Sequence, residues 1–294
     1  MRKLDYSGFR ENAFDIWTPE MAYWLGFFAA DGSVPERTSY INITLNYKDR
    51  DHLVKFKKFL GLQDHFLKDT YTTVGGKNYT QARLSFTSKY MKERLITLGL
   101  KPRKSQLDID FTQYVPYEYM TPFLLGYFDG DGSYSGINSE TKNLSIIYCG
   151  SHSFIKSVRD YFTTTYSFKQ SPLYLADDGM CYLHWGSVKD VTYFANLHLR
   201  VLGNIPLERK LQSARDIVSG IAYDACLNCG VLITKGTKTK LCQKCSSLTR
   251  RKVVRPSKEE LTILLRSNNY SALGRKFGVS DNAVRKWAKN YGLI

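Results

Sequence analysis

The stretch Trp24-Leu25-Gly26-Phe27-Phe28-Ala29-Ala30-Asp31-Gly32-Ser33 returns one hundred residues later as Leu124-Leu125-Gly126-Tyr127-Phe128-Asp129-Gly130-Asp131-Gly132-Ser133. In each copy small residues stand four apart, Gly26 and Ala30 in the first, Gly126 and Gly130 in the second. That spacing lines them up on one stripe of a helix, where missing side-chain bulk lets two helices meet backbone to backbone. Thr18-Pro19 and Thr121-Pro122 precede the copies and read as a capping hydroxyl followed by proline in the first turn. Each copy ends in Asp-Gly. The carboxyl end of a helix already has partial negative charge, so an aspartate there is electrostatically misplaced. Two such ends held together make sense once cations join them, and all-oxygen donors select Mg²⁺ or Mn²⁺.

The segments downstream of the two copies also correspond. After the first come an alternating strand pattern at Tyr40–Leu45, a helical pattern from Asp49 to Leu60, and a hairpin of Phe66–Thr73 and Tyr79–Thr87 about Gly75-Gly76. After the second come Leu144–Tyr148, a helix from Ser151 to Phe162, and a hairpin of Leu173–Ala176 and Met180–Gly186 about Asp178-Gly179. Each half closes with a helix and a basic pair, Arg103-Lys104 and Arg209-Lys210. The expectation is an α+β fold of two pseudo-symmetric αββαββα units, residues 1–115 and 116–222. The strands alternate polar and apolar residues, leaving one sheet face wet and open to a ligand. Cys149 and Cys181 lie in apolar strand-like runs and read as core.

The paired motif resembles the LAGLIDADG motif of homing endonucleases in their single-chain, two-motif form, over roughly Thr18 to Ile217. The resemblance implies a saddle of two sheets over the DNA major groove. It makes Asp31 and Asp131 the metal-binding acids, assisted by the backbone carbonyls of Ala30 and Gly130, and assigns catalytic lysines to Lys104 and Lys210. On their own, both lysines also fit phosphate-facing surface positions. Two or three divalent ions would serve phosphodiester hydrolysis, which needs an activated water and charge neutralisation. The family implies a double-strand cut with short 3′ overhangs at a long, asymmetric target, by a monomer promoting mobility of its intron or free-standing gene. The copies differ at one place, Ala29 against Asp129, a variable position that does not ligate metal in the family. Candidate base-reading residues on the wet strand faces include Asn42, Thr44, Asn46, Lys77, Gln81 and Arg83, with Lys142, Ser145, His184 and Trp185 in the second half.

Composition supports a polyanionic partner. The 294 residues have a net charge of +15, which points to nucleic acid; the resemblance implies double-stranded DNA, with the protein's own intron RNA as a further partner. With 43% hydrophobic residues there is ample core. No run reaches the ~18 apolar residues of a membrane helix, and no signal peptide is evident. The expectation is a protein away from membranes, intracellular and cytoplasmic, encoded by a bacterium or phage.

The charge is concentrated at one end. Cys226 to Ile294 holds a net +12, the rest only +3. This segment opens with Cys226-x-x-Cys229 and Cys242-x-x-Cys245, the spacing of a structural Zn²⁺ site, expected within residues 223–250. Two disulfides are the alternative pairing, disfavoured inside a cell. Residues 256–294 read as a helix-turn-helix similar to the tails attached to phage and bacterial nucleases. Ser257 caps one helix, Leu273, Phe277, Val279, Val284 and Trp287 supply a core, and Gly278 makes the turn. The last helix would offer Asn282, Arg285, Lys286 and Lys289 to a major groove. Two alternative functions share this layout: a non-cleaving transcriptional regulator and an intron maturase.

Overall fold

The computed structural model describes residues 5–74, 77–103, 107–136, 144–177, 179–220, 223–234, 237–250 and 253–294, with backbone alone at 74, 77, 223, 232 and 234. The chain divides into two compact units, Met1–Asp224 with Leu232–Thr237, and Ala225–Val231 with Lys238–Ile294.

The first unit contains the repeat. Its first half runs α1 (Pro19–Asp31), β1 (Gly32–Ser33), β2 (Tyr40–Asn46), α2 (Arg50–Leu60), β3 (Leu67–Val74), β4 (Lys77–Thr87) and α3 (Lys89–Thr97). The second half runs α4 (Met120–Asp131), β5 (Ser133–Ser135), β6 (Ser145–Gly150), α5 (His152–Tyr166), β7 (Leu173–Leu175), β8 (Cys181–Trp185) and α6 (Val188–Arg200), followed by α7 (Glu208–Val218). The antiparallel sheets have orders β1-β2-β4-β3 and β5-β6-β8-β7, so the αββαββα unit occurs twice. Their registers match. Leu84 lies between Ile43 and Leu67, and Leu183 lies between Tyr148 and Leu173.

Period-2 alternation decides which face is inside. Ile41, Ile43, Leu45, Ala82, Leu84 and Phe86 are buried under Leu53, Phe56 and Leu60 of α2. Ile146, Tyr148, Cys181, Leu183 and Trp185 are buried in the second sheet, with Phe154, Ile155, Val158 and Phe162 of α5. Both sets belong to one continuous core that includes α1 and α4.

Those two helices are nearly all buried, which is why their sequences are apolar on every side. A methyl group built on Gly26 would overlap the Phe123 carbonyl, and one on Gly126 the Tyr23 carbonyl. Glycine is therefore required at both contacts. The Thr18 hydroxyl accepts the Met21 N–H at 3.1 Å and caps α1 as expected. The second copy differs. There α4 begins at Met120, two residues ahead of Pro122 and directly after a 3₁₀ turn at Tyr117–Tyr119, and has no side-chain cap. The Thr121 hydroxyl bonds instead to the hydroxyls of Tyr161 and Tyr166 at 2.8 and 2.6 Å. Pro122 is tolerated because the first-turn N–H groups have no helical acceptor.

Strands β9 (Tyr223–Ala225) and β10 (Leu232–Thr234) follow α7 in sequence. The second unit contains α8 (Gln243–Thr249), α9 (Lys258–Ser267), α10 (Tyr270–Phe277) and α11 (Asp281–Asn290). Leu261, Leu273, Val284, Trp287 and Ala288 form its separate core. Ser257 and Glu260 make a reciprocal capping box on α9, and Ser280 caps α11. Gly278 ends α10 at φ +64°, and a Cβ on Gly274 would stand only 2.8 Å from the Val279 carbonyl oxygen. Small residues thus close the turn between α10 and α11. Among the described residues no helix is long and apolar enough to cross a membrane.

Candidate active site

Asp31 and Asp131 are the last residues of α1 and α4, and the close glycine packing brings these two ends together. A Cβ built on Gly130 would overlap the Ala30 methyl and stand 3.1 Å from Asp31 Oδ2. Each acid shares a cavity with the other helix's end. Asp31 lines a cavity of about 280 Å³ with Asp129, Gly130, Thr44, Asn46, Lys48 and Arg209. Asp131 lines one of about 570 Å³ with Ala29, Ala30, Tyr127, Ser151 and His152. Two carboxylates at two negative helix ends are oxygen donors of the kind a hard divalent cation prefers.

Lys210 enters from α7 and is buried. Its ammonium donates to the carbonyls of Phe128, Asp129 and Gly132, the latter two at 2.7 Å. It therefore caps the carboxyl end of α4, where a cation offsets the helix dipole. Burial pushes this ammonium down to about 8, against the opposing pull of Asp129, Asp31 and Asp131. All three of its N–H donors are engaged by backbone, so it acts on the acids through its charge. Lys104 lies outside the described residues. Beside it in sequence, Lys101 and Arg103 line a third cavity with Asp31, and Arg103 pairs with Glu36 at 3.2 Å.

Asp129 faces away from the acid pair into the interior. Its Oδ2 accepts the Tyr23 hydroxyl at 2.5 Å and the Leu207 N–H at 2.8 Å, and its Oδ1 lies 3.1 Å from His198 Nε2. The Tyr23 hydroxyl also meets His52 at 3.1 Å, and the Tyr134 hydroxyl meets His198 at 3.1 Å. Burial alone would raise the Asp129 carboxyl, but His198, Lys210 and His52 hold it at about 2. Burial drives the His52 imidazole down to about 3. This network spans both halves of the unit, and the sequence showed only its starting point, the Ala29/Asp129 difference.

The wet face of the first sheet presents Asn42, Thr44, Asn46, Gln81 and Arg83, with Thr44 opposite Arg83 and Asn46 opposite Gln81. Arg83 donates to the Thr44 hydroxyl at 3.1 Å. Lys142 and the side chain of Lys77 lie outside the described residues. Ser145 and His184 occupy the outer face of the second sheet. Trp185 does not. It is 1% exposed, and its indole N–H donates to the Lys169 carbonyl at 2.9 Å. Alternation along β8 turns His184 outward and so must turn Trp185 inward. Cys149 corrects the other way. It is half-buried on the outer face, and its thiol donates to the Asp131 carbonyl at 3.0 Å. Burial first, then Asp131, pushes that thiol up to about 11. Lys48 and Cys149 adjoin the acids without any motif that would have marked them.

In the second unit the sulfurs of Cys226, Cys229, Cys242 and Cys245 all lie within 4.8 Å of one another, and none is in a disulfide. Four sulfurs around one tetrahedral zinc stand about 3.8 Å apart at Zn–S of about 2.3 Å. Cys229 and Cys242 are separated by 3.7 Å. Backbone N–H of Cys242 and Cys245 and the Asn228 amide point at Cys226, Cys242 and Cys245 sulfurs at 3.2, 3.4 and 3.3 Å. Such donors favour thiolates, so the cluster could hold a metal ion. On α11, Asn282, Arg285, Lys286 and Lys289 are exposed. Arg285 lies 4.5 Å from the centre of the Tyr270 ring and 3.6 Å from Asp281.

No family model matches the chain, and neither does any curated protein. Among solved structures, the homing endonuclease I-WcaI bound to its DNA recognition sequence aligns at 11% identity and TM-score 0.45, over 68% of this chain and 91% of that one. The LAGLIDADG homing endonuclease I-LtrWI bound to target DNA aligns at 12% identity and TM-score 0.44, over 69% and 91%. The N-terminal LAGLIDADG domain of WhiA aligns at 14% identity and TM-score 0.41, over 72% and 97%. The structures to which this chain is similar are thus LAGLIDADG proteins, DNA-bound nucleases and a WhiA domain among them.

Proposed function

We propose that the chain is a site-specific, metal-dependent double-strand DNA endonuclease of the homing type. The observation that supports this most is the pair of helix ends terminating in Asp31 and Asp131, each acid sharing its cavity with the other helix's penultimate backbone. Asp31 and Asp131 hold divalent cations with help from the carbonyls of Ala30 and Gly130. Divalent ions held there would supply an activated water and neutralisation of the charge that develops on the phosphate. Lys210 fixes the end of α4 and places a positive charge behind the acids. Lys48, exposed at the rim of the Asp31 cavity, is free of helix-capping duty and suits a phosphate contact. The outer sheet faces read the target, asymmetrically because the halves differ. The second unit lengthens the footprint: zinc on the four cysteines stabilises it, and α10 and α11 act as a helix-turn-helix with α11 in a major groove.

Incubation of the protein and Mg²⁺ with plasmids carrying randomised inserts tests this. The expected result is linearised plasmid sharing one long, asymmetric sequence. Asp31→Asn and Asp131→Asn should each abolish cutting while leaving affinity for the recovered sequence within about threefold. Binding without cutting by the unaltered chain would refute hydrolysis and favour the regulator.

A further inference from the structure

We infer that the two halves of this site read DNA by different chemistry, the second sheet recognising thymines by their methyl groups. This rests on the DNA-binding reading above and names the sequence class of one half-site.

The matched registers allow the outer faces to be compared position by position. With Leu84 and Leu183 aligned, Asn42 corresponds to Ile147, Thr44 to Cys149, Arg83 to Tyr182, and Lys68 to Tyr174. An amide, a hydroxyl and two cations on the first sheet thus become an aliphatic chain, a thiol and two phenols on the second. The second face is no part of the core. Tyr174 is 66% exposed, and its ring stands 6.5 Å from that of Tyr182. The Cys149 thiol is directed at the Asp131 carbonyl rather than outward to a base.

A donor-rich face such as Asn42 with Arg83 suits hydrogen-bond acceptors on purine edges. Ser145 and His184 keep hydrogen-bonding groups on the second face, but Ile147 and the rings of Tyr174 and Tyr182 add apolar surface that the first face lacks at the matching positions. In the major groove the apolar feature of a base pair is the thymine C5 methyl. Rings held in a sheet cannot stack within a closed duplex, so they meet base edges. Cys149 touches Asp131, which sets the origin. Ile147 is one outward side-chain step further, about 7 Å or two base-pair steps. Tyr182 and Tyr174 lie about 5 and 10 Å to the side across the strands. Tyr182 pairs level with Cys149 and Ile147 stands one step beyond, so the methyl-reading patch covers about the first two base pairs from the reacting centre.

The test uses the full chain without added metal and a random duplex library. Bound duplexes are recovered by gel shift, then resynthesised with deoxyuridine for thymidine in one half at a time. The half-site on the second sheet should be enriched in thymine, and losing each contacted methyl should weaken binding about fourfold. Deoxyuridine in the other half should change binding less than about 1.5-fold. Ile147→Asn with Tyr174→Lys, which copies the first sheet, should erase the effect. Indifference to deoxyuridine in both halves, or equal weakening in both, would overturn the inference and leave DNA binding intact. Tighter binding of single-stranded RNA than of any duplex, lost in Tyr174→Ala, would overturn it in favour of stacking. Retention of no duplex would overturn the DNA reading itself and this inference with it.

Discussion

Replacing Asp129 by asparagine probes the buried network that joins the two halves. The carboxylate accepts from Tyr23 and Leu207 through Oδ2 and pairs with His198 through Oδ1. Asparagine keeps the shape but removes the charge. Hydrogen bonds to a charged group are worth about 1 kcal/mol more than neutral ones, and two are affected. Lys210 also loses a buried counter-charge, so the cost at pH 6 should be about 3–5 kcal/mol. The pH dependence has a definite sign. The folded carboxyl titrates near 2, below its unfolded value near 3.8. Its ionisation thus contributes stability above pH 3.8, about 2 kcal/mol in full, which is lost as pH falls through 2. Between pH 6 and pH 3 the gap between parent and variant should shrink by about 1 kcal/mol. Urea unfolding followed by far-UV circular dichroism measures both quantities. A gap under about 1 kcal/mol at pH 6, or one that does not narrow with acid, would refute the account.

Gly126→Ala should destabilise the first unit by about 3 kcal/mol, since the added methyl meets the Tyr23 carbonyl on rigid backbone. Gly186→Ala, where the nearest atom to the new methyl is the Leu144 carbonyl oxygen at 3.8 Å, should be near neutral in the same melt. His52 has a folded value near 3 against 6.5 unfolded, so protons bind the unfolded chain preferentially and stability falls as pH drops below 6.5. From pH 7 to 4 the parent should lose about 3 kcal/mol more than His52→Gln, read from urea midpoints. Zinc analysis should give about one ion per chain. A strong chelator, or Cys242→Ser, should then release it and lower the melting of the second unit alone.

The repeat, its αββαββα layout and the acid pair are legible in sequence because local rules act there. Alternation of two marks strands, spacing of four marks a helix stripe, and C-x-x-C pairs mark a cysteine cluster. Alternation even places Asn42, Thr44 and Arg83 correctly, and applied strictly it turns Trp185 inward. The start of α4 escapes such rules because Thr121 finds tyrosine hydroxyls, partners forty and more residues distant. Lys210 shows the same division. Its sequence position points to the acids, but only packing shows its three donors consumed by the end of α4. Asp129 with His52, His198, Tyr23 and Tyr134 has no local signature, since its members come from five separate elements of both halves. A sequence period records which face a residue takes. Which groups meet on that face is decided by long-range packing, where the cost of burying an unpaired charge selects the partner.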